Sequence, residues 1–208
     1  LKKQPYRWEI IVVDDGSYIP AAETLAAKNL LFAPNLDVIR LWPNRGKGRA
    51  IAEGVAKAKG KYIVFSDIDL SVPINTVKRL QKQLETHDIV IASRRAPGSR
   101  ILTHQPWLRE TSGRVFTWLA NVVCAVAVTD ATCGFKGFRK DVAKRLFRQL
   151  TIDRWVFDVE ILLLARTLGY SLQELPVDWM DRRGTKVRMW DMIGSFVDLL
   201  RIRFYRYT

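Results

Sequence analysis

The chain has 208 residues, of which 48% are hydrophobic and 26% are charged, and its formal net charge is +13. The first two fractions are ordinary for a globular protein and exclude a disordered chain, and the length fits one domain. So large a positive charge favours an anionic partner. By charge alone that partner could be nucleic acid, anionic lipid or a phosphorylated substrate.

Strands and helices alternate in the first half of the sequence. Short β-branched or apolar runs predict strands at residues 9–13, 37–41, 61–66 and 88–93, with helices predicted at 21–32, 49–58 and 73–86. This alternation predicts a mostly parallel sheet with helices on both faces. Ligands bind beyond the carboxyl ends of such strands. Polar groups follow three of the four predicted strands, at 14–17, 67–69 and 94–95.

The second half is less regular. We expect a loop at 96–109, a helix at 110–128, a loop at 129–138, helices near 140–149 and 157–168, and a strand at 172–179. The sequence contains no run of 18 or more apolar residues, so we expect no transmembrane helix. The first residues do not resemble a signal peptide. The two cysteines, Cys124 and Cys133, form no metal-binding or disulfide pattern, so we expect buried free thiols.

The C-terminal residues 189–208 predict an amphipathic helix with a basic, aromatic end. Its apolar positions recur at helical spacing: Met189, Met192, Ile193, Phe196, Leu199 and Leu200. Arginines and aromatic residues then alternate. A helix packed on the core and a helix at a membrane interface both fit this pattern.

Asp67 and Asp69 follow a predicted buried strand. In an extended chain their side chains point the same way, and two carboxylates can hold Mg²⁺ or Mn²⁺ with positions left for phosphate oxygens. An acidic pair in a surface loop is the alternative. Asp14, Asp15, Gly16 and Ser17 end the first strand, where an acid can bind a nucleoside or simply cap a turn or helix.

The loop Asn44–Arg49 is rich in glycine and basic residues and opens a helix, so Lys47 and backbone N–H groups could attract phosphate. It lacks the spacing of a P-loop, and neither a dinucleotide fingerprint nor a hydrolase triad is present. Further cations that could grip an anionic acceptor follow in the second half: Arg94, Arg95, Arg100, Arg109, Arg114, Lys136, Arg139, Arg182, Arg183, Lys186 and Arg188.

Several stretches, taken in order, resemble the family-2 glycosyltransferases with a GT-A fold, and among them the dolichyl- or polyprenyl-phosphate glucose and mannose synthases. The stretches are EIIVVDDGS, NRGKGRAIAEGV, GKYIVFSDIDLSVPI, IVIASRR, DATCGFKGFRK, WVFDVEILLLARTLGY and ELPVDWMDRRGTKVR. The chain opens at what would be the second strand of that fold, so we expect the first strand to be lacking. Tyr18-Ile19-Pro20 replace a usual Asp and Thr, and Thr132 replaces a usual Gln.

The resemblance implies a set of roles. Asp14, Asp15, Gly16, Ser17, Lys47 and Asp67 would bind the nucleotide sugar, and Asp67 and Asp69 would hold the metal. Asp67, Asp69 and Arg94 would be catalytic. Arg94, Arg109, Arg114, Lys136 and Lys186 would bind the acceptor phosphate, and Asp158 and Glu160 would support the sugar region. Residues 1–95 would form the nucleotide-sugar half, 96–188 the acceptor half and 189–208 the tail helix of a single domain.

The implied reaction is inverting transfer of a hexose from UDP-glucose or GDP-mannose to polyprenyl or dolichyl phosphate, with Mg²⁺ or Mn²⁺ as cofactor. The implied location is peripheral, at the cytoplasmic face of a membrane, with the membrane surface and not nucleic acid as partner. Alternatives are a basic nucleic-acid-binding protein, an inactive or truncated relative acting as a scaffold, and transfer to a sugar or protein. The strand-end acids argue against nucleic acid, because they would repel phosphate unless a metal intervened.

Overall fold

The computed structural model describes residues 7–31, 33–182, 189–205 and 207. Its strands are β1 (Ile10–Asp15), β2 (Leu36–Leu41), β3 (Tyr62–Ser66), β4 (Ile89–Ser93), β5 (Arg100–Thr103), β6 (Phe135–Arg139), β7 (Leu172–Pro176) and β8 (Asp178–Met180). Its helices are α1 (Ala21–Ala27), α2 (Lys47–Lys57), α3 (Thr76–Gln83), α4 (Trp107–Cys124), α5 (Lys140–Arg148), α6 (Phe157–Thr167) and α7 (Met189–Phe204). The alternation predicted for the first half is confirmed, with shifted boundaries.

The strands form three sheets in the described part of the chain. β1 pairs with β2 in parallel, β5 pairs with β8 in parallel, and the largest sheet has the order β3-β6-β4-β7. β4 and β7 are parallel, whereas β6 runs antiparallel to both of its neighbours. The central sheet is therefore mixed. The lack of a first strand stays a prediction. β1 lies at the edge of the sheet that it forms with β2, and β3 lies at the edge of the four-stranded sheet.

Two strands lie where the sequence predicts loops. β6 was missed at 129–138 because Lys136 and Gly137 interrupt its apolar pattern, although every residue from Phe135 to Phe138 is buried. The sequence does not predict β5 within 96–109, because this strand is short and mostly exposed and therefore contains no apolar run.

The direction of β6 brings an extra loop to the carboxyl ends of β3 and β4. An antiparallel strand begins where its neighbours end, and Phe135 at the start of β6 pairs with Ser66 at the end of β3. One residue earlier, the Gly134 carbonyl accepts a hydrogen bond of 2.9 Å from the Asp67 N–H. Residues 130–134 therefore join the loops that follow β3 and β4.

Side chains of β4 alternate between two buried clusters. Ile89 and Ile91 belong to a cluster that includes residues of α5 and α6, whereas Val90 and Ala92 belong to a cluster that includes Leu80 of α3. This period of two is expected for a strand buried on both faces. The prediction of helices on both faces of the sheet is confirmed.

Helix α7 packs on the core through one side of its residues 194–204. Leu199 and Ile202 are fully buried, and the Cys124 thiol lies 3.8 Å from the Leu199 carbonyl oxygen. None of the helices in the described ranges has the length and apolarity needed to cross a bilayer. The expectation of buried free thiols is confirmed, and burial raises the pKa of Cys124 to about 11 and that of Cys133 to about 12.

Candidate functional site

A cavity of about 920 Å³ opens at the carboxyl ends of β3 and β4. Its charged lining includes most of the cationic and acidic residues predicted for the site: Lys47, Asp67, Asp69, Arg94, Arg109, Arg114 and Asp158. Further along, α4 and α7 contribute an apolar wall made of Val115, Phe116, Leu119, Phe196 and Leu199. One space therefore combines carboxylates, guanidinium groups and an extended apolar surface.

Asp67 and Asp69 line this cavity together, although the chain between them does not stay extended. It turns at Ile68 and Asp69, and Leu70 adopts a left-handed φ of 53°. Asp69 is exposed, and its Oδ1 accepts a hydrogen bond of 2.9 Å from the Ser71 N–H. The turn, and not strand periodicity, places both carboxylates in the cavity.

Lys47 contacts the first of these carboxylates. Its Nζ lies 2.7 Å from Asp67 Oδ1 and sits over the rings of Trp155 and Phe157, at 5.6 Å and 5.9 Å from their centroids. Burial opposes the charge on Lys47, but Asp158 and Asp67 outweigh it and raise the pKa of Lys47. The ammonium group is thus held charged within the cavity, beside the acidic pair.

Gly134 gives Asp67 the room that it occupies. A Cβ at this position would lie 1.9 Å from Asp67 Oδ2 and 2.3 Å from Cγ. Such contacts are far inside van der Waals distance, so any larger residue would displace the Asp67 carboxylate. No local pattern in the sequence distinguishes Gly134, and its importance follows only from the meeting of the two loops in the folded chain.

Arg94 is fixed by a buried carboxylate that was not among the predicted site residues. Its Nε lies 2.6 Å and its Nη2 lies 2.7 Å from the Asp130 oxygens, and Nη2 also donates to Thr132 Oγ1 at 2.9 Å. The guanidinium carbon lies 5.4 Å from the centroid of the Trp179 ring. Burial acts against both charges, but the pairing raises the pKa of Arg94 and lowers that of Asp130. Arg94 is therefore a rigid cation in the cavity wall.

Lys136, predicted to bind acceptor phosphate, is fully buried and already has three hydrogen-bond acceptors. Its Nζ contacts the carbonyl oxygens of Ala131 and Cys133 at 3.1 Å and 2.8 Å, and Asp158 Oδ1 at 2.5 Å. An ammonium group has three N–H donors, and all three are used here. This geometry favours a structural role for Lys136, in which it holds residues 131–133 in place.

Glu160 likewise has structural partners. It is fully buried, and its oxygens accept hydrogen bonds from the N–H and hydroxyl of Thr151, the N–H of Ile152 and the hydroxyl of Tyr207. It does not line the cavity, whereas Asp158 on the same helix does. Glu160 therefore ties residue 207, beyond α7, to the loop that precedes α6.

Residues 14–17 hold loops together and are not in the cavity lining. Asp14 accepts hydrogen bonds from the N–H groups of Ser17 and Ala21, at 2.8 Å and 2.9 Å. Burial opposes its ionisation, but these bonds outweigh it and lower the pKa of Asp14. Asp15 accepts bonds from the N–H groups of residues 45 and 46, at 2.8 Å and 2.7 Å. Gly16 has a φ of 75° and packs against Asn44.

The remaining predicted acceptor residues differ in setting. Arg109 lines the cavity from the first turn of α4. Arg114 lines it too, and its Nη2 lies 2.7 Å from Glu110 Oε1. Lys186 lies outside the described residues. Trp155 and Trp179 also line the cavity, although the sequence implied no role for either residue.

The donor set fits a hard divalent cation shared with a substrate. Within the described ranges, no three His, Cys, Asp or Glu side chains cluster to form a complete metal site. Mg²⁺ is commonly held by one or two carboxylates and by substrate phosphate oxygens. Asp67 and Asp69 provide such a pair, beside the cations Lys47 and Arg94 in the same cavity.

Solved structures share this fold. Glucosyl-3-phosphoglycerate synthase from Mycobacterium tuberculosis, in complex with UDP, matches 93% of this chain and 68% of its own, with a TM-score of 0.63 and 16% identity. The same enzyme with Mn²⁺ and UDP-glucose matches with a TM-score of 0.62 and 18% identity, over 93% of this chain and 67% of its own. The fold is therefore the GT-A fold expected from the sequence.

Sequence relatives are dolichyl-phosphate beta-glucosyltransferases. One from Dictyostelium discoideum is 34% identical over 98% of this chain and 64% of its own length. One from Homo sapiens is 31% identical over 97% of this chain and 65% of its own length. The chain thus spans slightly less than two thirds of the relatives it matches.

A family model, described as glycosyl transferase family 2, matches residues 1–147. The matched range contains β1 to β6 and, with them, Lys47, Asp67, Asp69 and Arg94 of the cavity. The family expected from the ordered sequence stretches is confirmed: the chain belongs to glycosyl transferase family 2.

Proposed function

We propose that this chain transfers glucose, with inversion, from UDP-glucose to a polyprenyl or dolichyl phosphate. One observation carries the proposal: carboxylates, guanidinium groups and an apolar wall line the same cavity. A nucleotide diphosphate needs a cation site, an acceptor phosphate needs fixed positive charge, and a polyprenyl chain needs apolar surface. Each of these chemistries is present in the lining.

The choice of UDP-glucose over GDP-mannose is supported by the comparisons. The relatives are named as glucosyltransferases, and the structural neighbour binds UDP-glucose with Mn²⁺. Asp67 and Asp69 would hold Mn²⁺ or Mg²⁺, which when bound offsets the charge of the diphosphate leaving group. Asp14, Asp15, Gly16 and Ser17 would contribute to nucleotide binding through the loop that Asp15 joins to residues 45 and 46.

Lys47 and Arg94 would stabilise the developing charge on the leaving group. Lys47 already faces Asp67, so its ammonium group lies where the diphosphate would meet the acidic pair. Arg94 is held by Asp130 before any substrate arrives, so it would not need to reorganise during the reaction. Preorganised charge of this kind is a main source of catalytic stabilisation.

The acceptor would supply its own nucleophile. A phosphate monoester oxygen is anionic at neutral pH, so attack on the anomeric carbon needs positioning more than a general base. Arg109 and Arg114 line the cavity and would hold the acceptor phosphate, and Lys186 would assist. Asp158 would support the sugar region, whereas the buried contacts of Lys136 and Glu160 favour an indirect role.

A polyprenyl acceptor would place this reaction at a membrane surface. We further propose that residues 1–95 and 96–188 serve donor and acceptor respectively, and that 189–208 form a contact with the membrane at its cytoplasmic face. The acidic pair inside a basic cavity disfavours nucleic acid as the partner, because Asp67 and Asp69 would repel its phosphates in the absence of a cation.

Titration calorimetry of UDP-glucose and GDP-mannose, with and without Mn²⁺, tests the donor site. We expect UDP-glucose to bind only when Mn²⁺ is present, and we expect Asp69→Ala to abolish this binding because it removes a proposed ligand of the metal. Asp69 is an exposed cavity residue, so its loss should spare the fold. Asp37→Ala is the matched control, since Asp37 is exposed on β2 and does not line the cavity. Failure of a folded sample to bind either donor would refute the donor assignment.

Transfer assays with labelled UDP-glucose then test the acceptor. Polyprenyl phosphate should be glucosylated in preference to 3-phosphoglycerate, because 3-phosphoglycerate has no apolar chain that could pack against the cavity wall formed by α4 and α7. Equal transfer to both acceptors would contradict the assignment of a lipid substrate.

A further inference from the structure

We propose that exposed apolar stripes on α4 and α7 form one face that docks on an anionic lipid bilayer. The proposal deepens the proposed function, on which it rests for the location of the acceptor. In this arrangement α4 and the tail helix α7 both meet the membrane. The two stripes together form the docking face.

The stripe on α4 has a regular helical spacing. Leu108, Val115, Trp118 and Val122 are exposed, and Thr111 fills the position between the first two. Intervals of three, four, three and four residues keep these side chains on one side of a helix. Trp118 and Val122 are each 62% exposed. The opposite side of α4 is buried through Thr117, Ala120 and Cys124.

The stripe on α7 follows the same rule. Phe196, Leu200 and Phe204 are exposed at intervals of four, with Val197 beside them. The other side of the helix is committed to the core through Leu199 and Ile202, which are fully buried. Since α7 packs against α4, the two stripes belong to neighbouring helices of one surface layer.

The cavity opens into this face. Val115 of α4 and Phe196 of α7 are exposed members of the stripes, and both also line the cavity. Deeper in the same wall, Phe116, Leu119 and Leu199 continue the apolar surface. A hydrocarbon chain lying on the docking face could therefore extend along this apolar wall into the cavity that Asp67, Asp69 and Arg94 also line.

The charges around the face fit an anionic lipid surface. Arg201 and Arg203 are exposed on α7, and Arg114 is exposed on α4. Basic residues near such a surface are attracted to its negatively charged headgroups. Trp118 and Phe204 are of the aromatic type that favours the interface of a bilayer. The chain's formal net charge of +13 acts in the same direction.

A bilayer explains the face better than a protein partner does. A second protein, or a second copy of this chain, seated on both stripes would cover the cavity where Val115 and Phe196 form its rim. A bilayer in that position would instead deliver an apolar substrate to the cavity. The opening between the stripes therefore favours lipid as the occupant.

Vesicle flotation without any substrate tests the face independently of catalysis. We expect binding to vesicles of phosphatidylcholine with phosphatidylserine and much weaker binding to phosphatidylcholine alone. Trp118→Ser/Val122→Ser should lower the partition coefficient about tenfold or more, because two apolar side chains are lost from the interface. Tyr18→Ser/Ile19→Ser removes an aromatic and a 61% exposed aliphatic residue elsewhere, so it should bind as the wild type does.

A fluorescent probe gives a second readout without removing the stripe. Both native cysteines are buried, so a cysteine introduced at an exposed position can be labelled selectively. An environment-sensitive dye on Thr111→Cys should brighten when anionic vesicles are added, and the same dye on Glu23→Cys of α1 should not. No brightening at residue 111, or unchanged flotation of the stripe variant, would overturn the proposal.

Two further outcomes separate this inference from the proposed function. If vesicles bind through the face but no glucose is transferred to polyprenyl phosphate, the docking face stands and the proposed function fails. If the stripe variant loses a wild-type dimer in gel filtration while vesicle binding is unchanged, the face is a contact between copies and the inference is wrong.

Discussion

Lys136 and Asp158 form a buried ion pair at the cavity wall, with Nζ 2.5 Å from Oδ1 and side chains that are 0% and 5% exposed. Lys136 also binds two carbonyl oxygens of the loop that precedes β6. The pair therefore joins α6 to the loop that carries Gly134 and, through it, to Asp67. Lysine is a residue type that often binds phosphate, but here Lys136 shapes the site.

Lys136→Met should destabilise the protein by about 3–5 kcal/mol at pH 7, because Asp158 would remain buried without its cation. Lys136→Met/Asp158→Leu should recover much of that loss, since an apolar pair leaves no uncompensated charge. Urea denaturation of the three proteins measures both effects. A single variant as stable as the wild type would contradict the structural role of Lys136.

The Arg94–Asp130 pair should make stability depend on pH. The pKa of Asp130 is lowered in the folded state by Arg94, so its contribution is present above the unfolded pKa of about 3.9 and is lost as pH falls through the folded value. Asp130→Asn should therefore be less stable than the wild type at pH 7, and the gap should narrow below about pH 4. Thermal denaturation across this range measures the gap.

The exposed pair Arg100–Asp178 provides the control for this experiment. Asp178→Asn removes a carboxylate with comparable hydrogen-bond distances, but the side chains of this pair are 71% and 38% exposed, so the substitution should change stability little at any pH. A constant gap between Asp130→Asn and the wild type from pH 7 to pH 3 would contradict the prediction.

Gly134→Ala should disrupt the donor site. The added methyl group would meet Asp67 Oδ2 at 1.9 Å, so the carboxylate must move away from its position beside Lys47. We expect loss of Mn²⁺-dependent UDP-glucose binding in calorimetry, with the circular dichroism spectrum retained. Gly194→Ala is the matched control, because no atom lies within 4 Å of its added Cβ and alanine favours a helix. Wild-type binding by Gly134→Ala would show that Asp67 is not needed in this position.

Arg109→Gln should weaken use of the acceptor while sparing the donor. A charge-assisted hydrogen bond to phosphate contributes about 1.5–3 kcal/mol, so KM for polyprenyl phosphate should rise about 10-fold to 100-fold. The Kd for UDP-glucose should stay unchanged. Arg100→Gln removes an arginine outside the cavity and should leave both constants as they are. A rise in both constants for Arg109→Gln would indicate a general disturbance of the site.

The elements with strong local patterns could be predicted, and those without them could not. The apolar runs of β3 and β4 mark buried strands, and the acids and arginines after them mark a ligand site. β6 carries Lys136 and Gly137 in its middle, so its pattern does not read as a strand. Its lysine is tolerated in the interior because Asp158, 22 residues later, and two carbonyl oxygens of the preceding loop lie beside it.

The sequence by itself determined the family, the alternation of strands and helices in the first half, and the acidic pair Asp67 and Asp69, because these depend on residues close together in the chain. The tertiary structure decided which polar residues reach the cavity. Asp130 meets Arg94 across 36 residues and Glu160 meets Tyr207 across 47. Such contacts depend on how β6 and α7 pack, and distances of about 3 Å between remote side chains leave no signal in local composition.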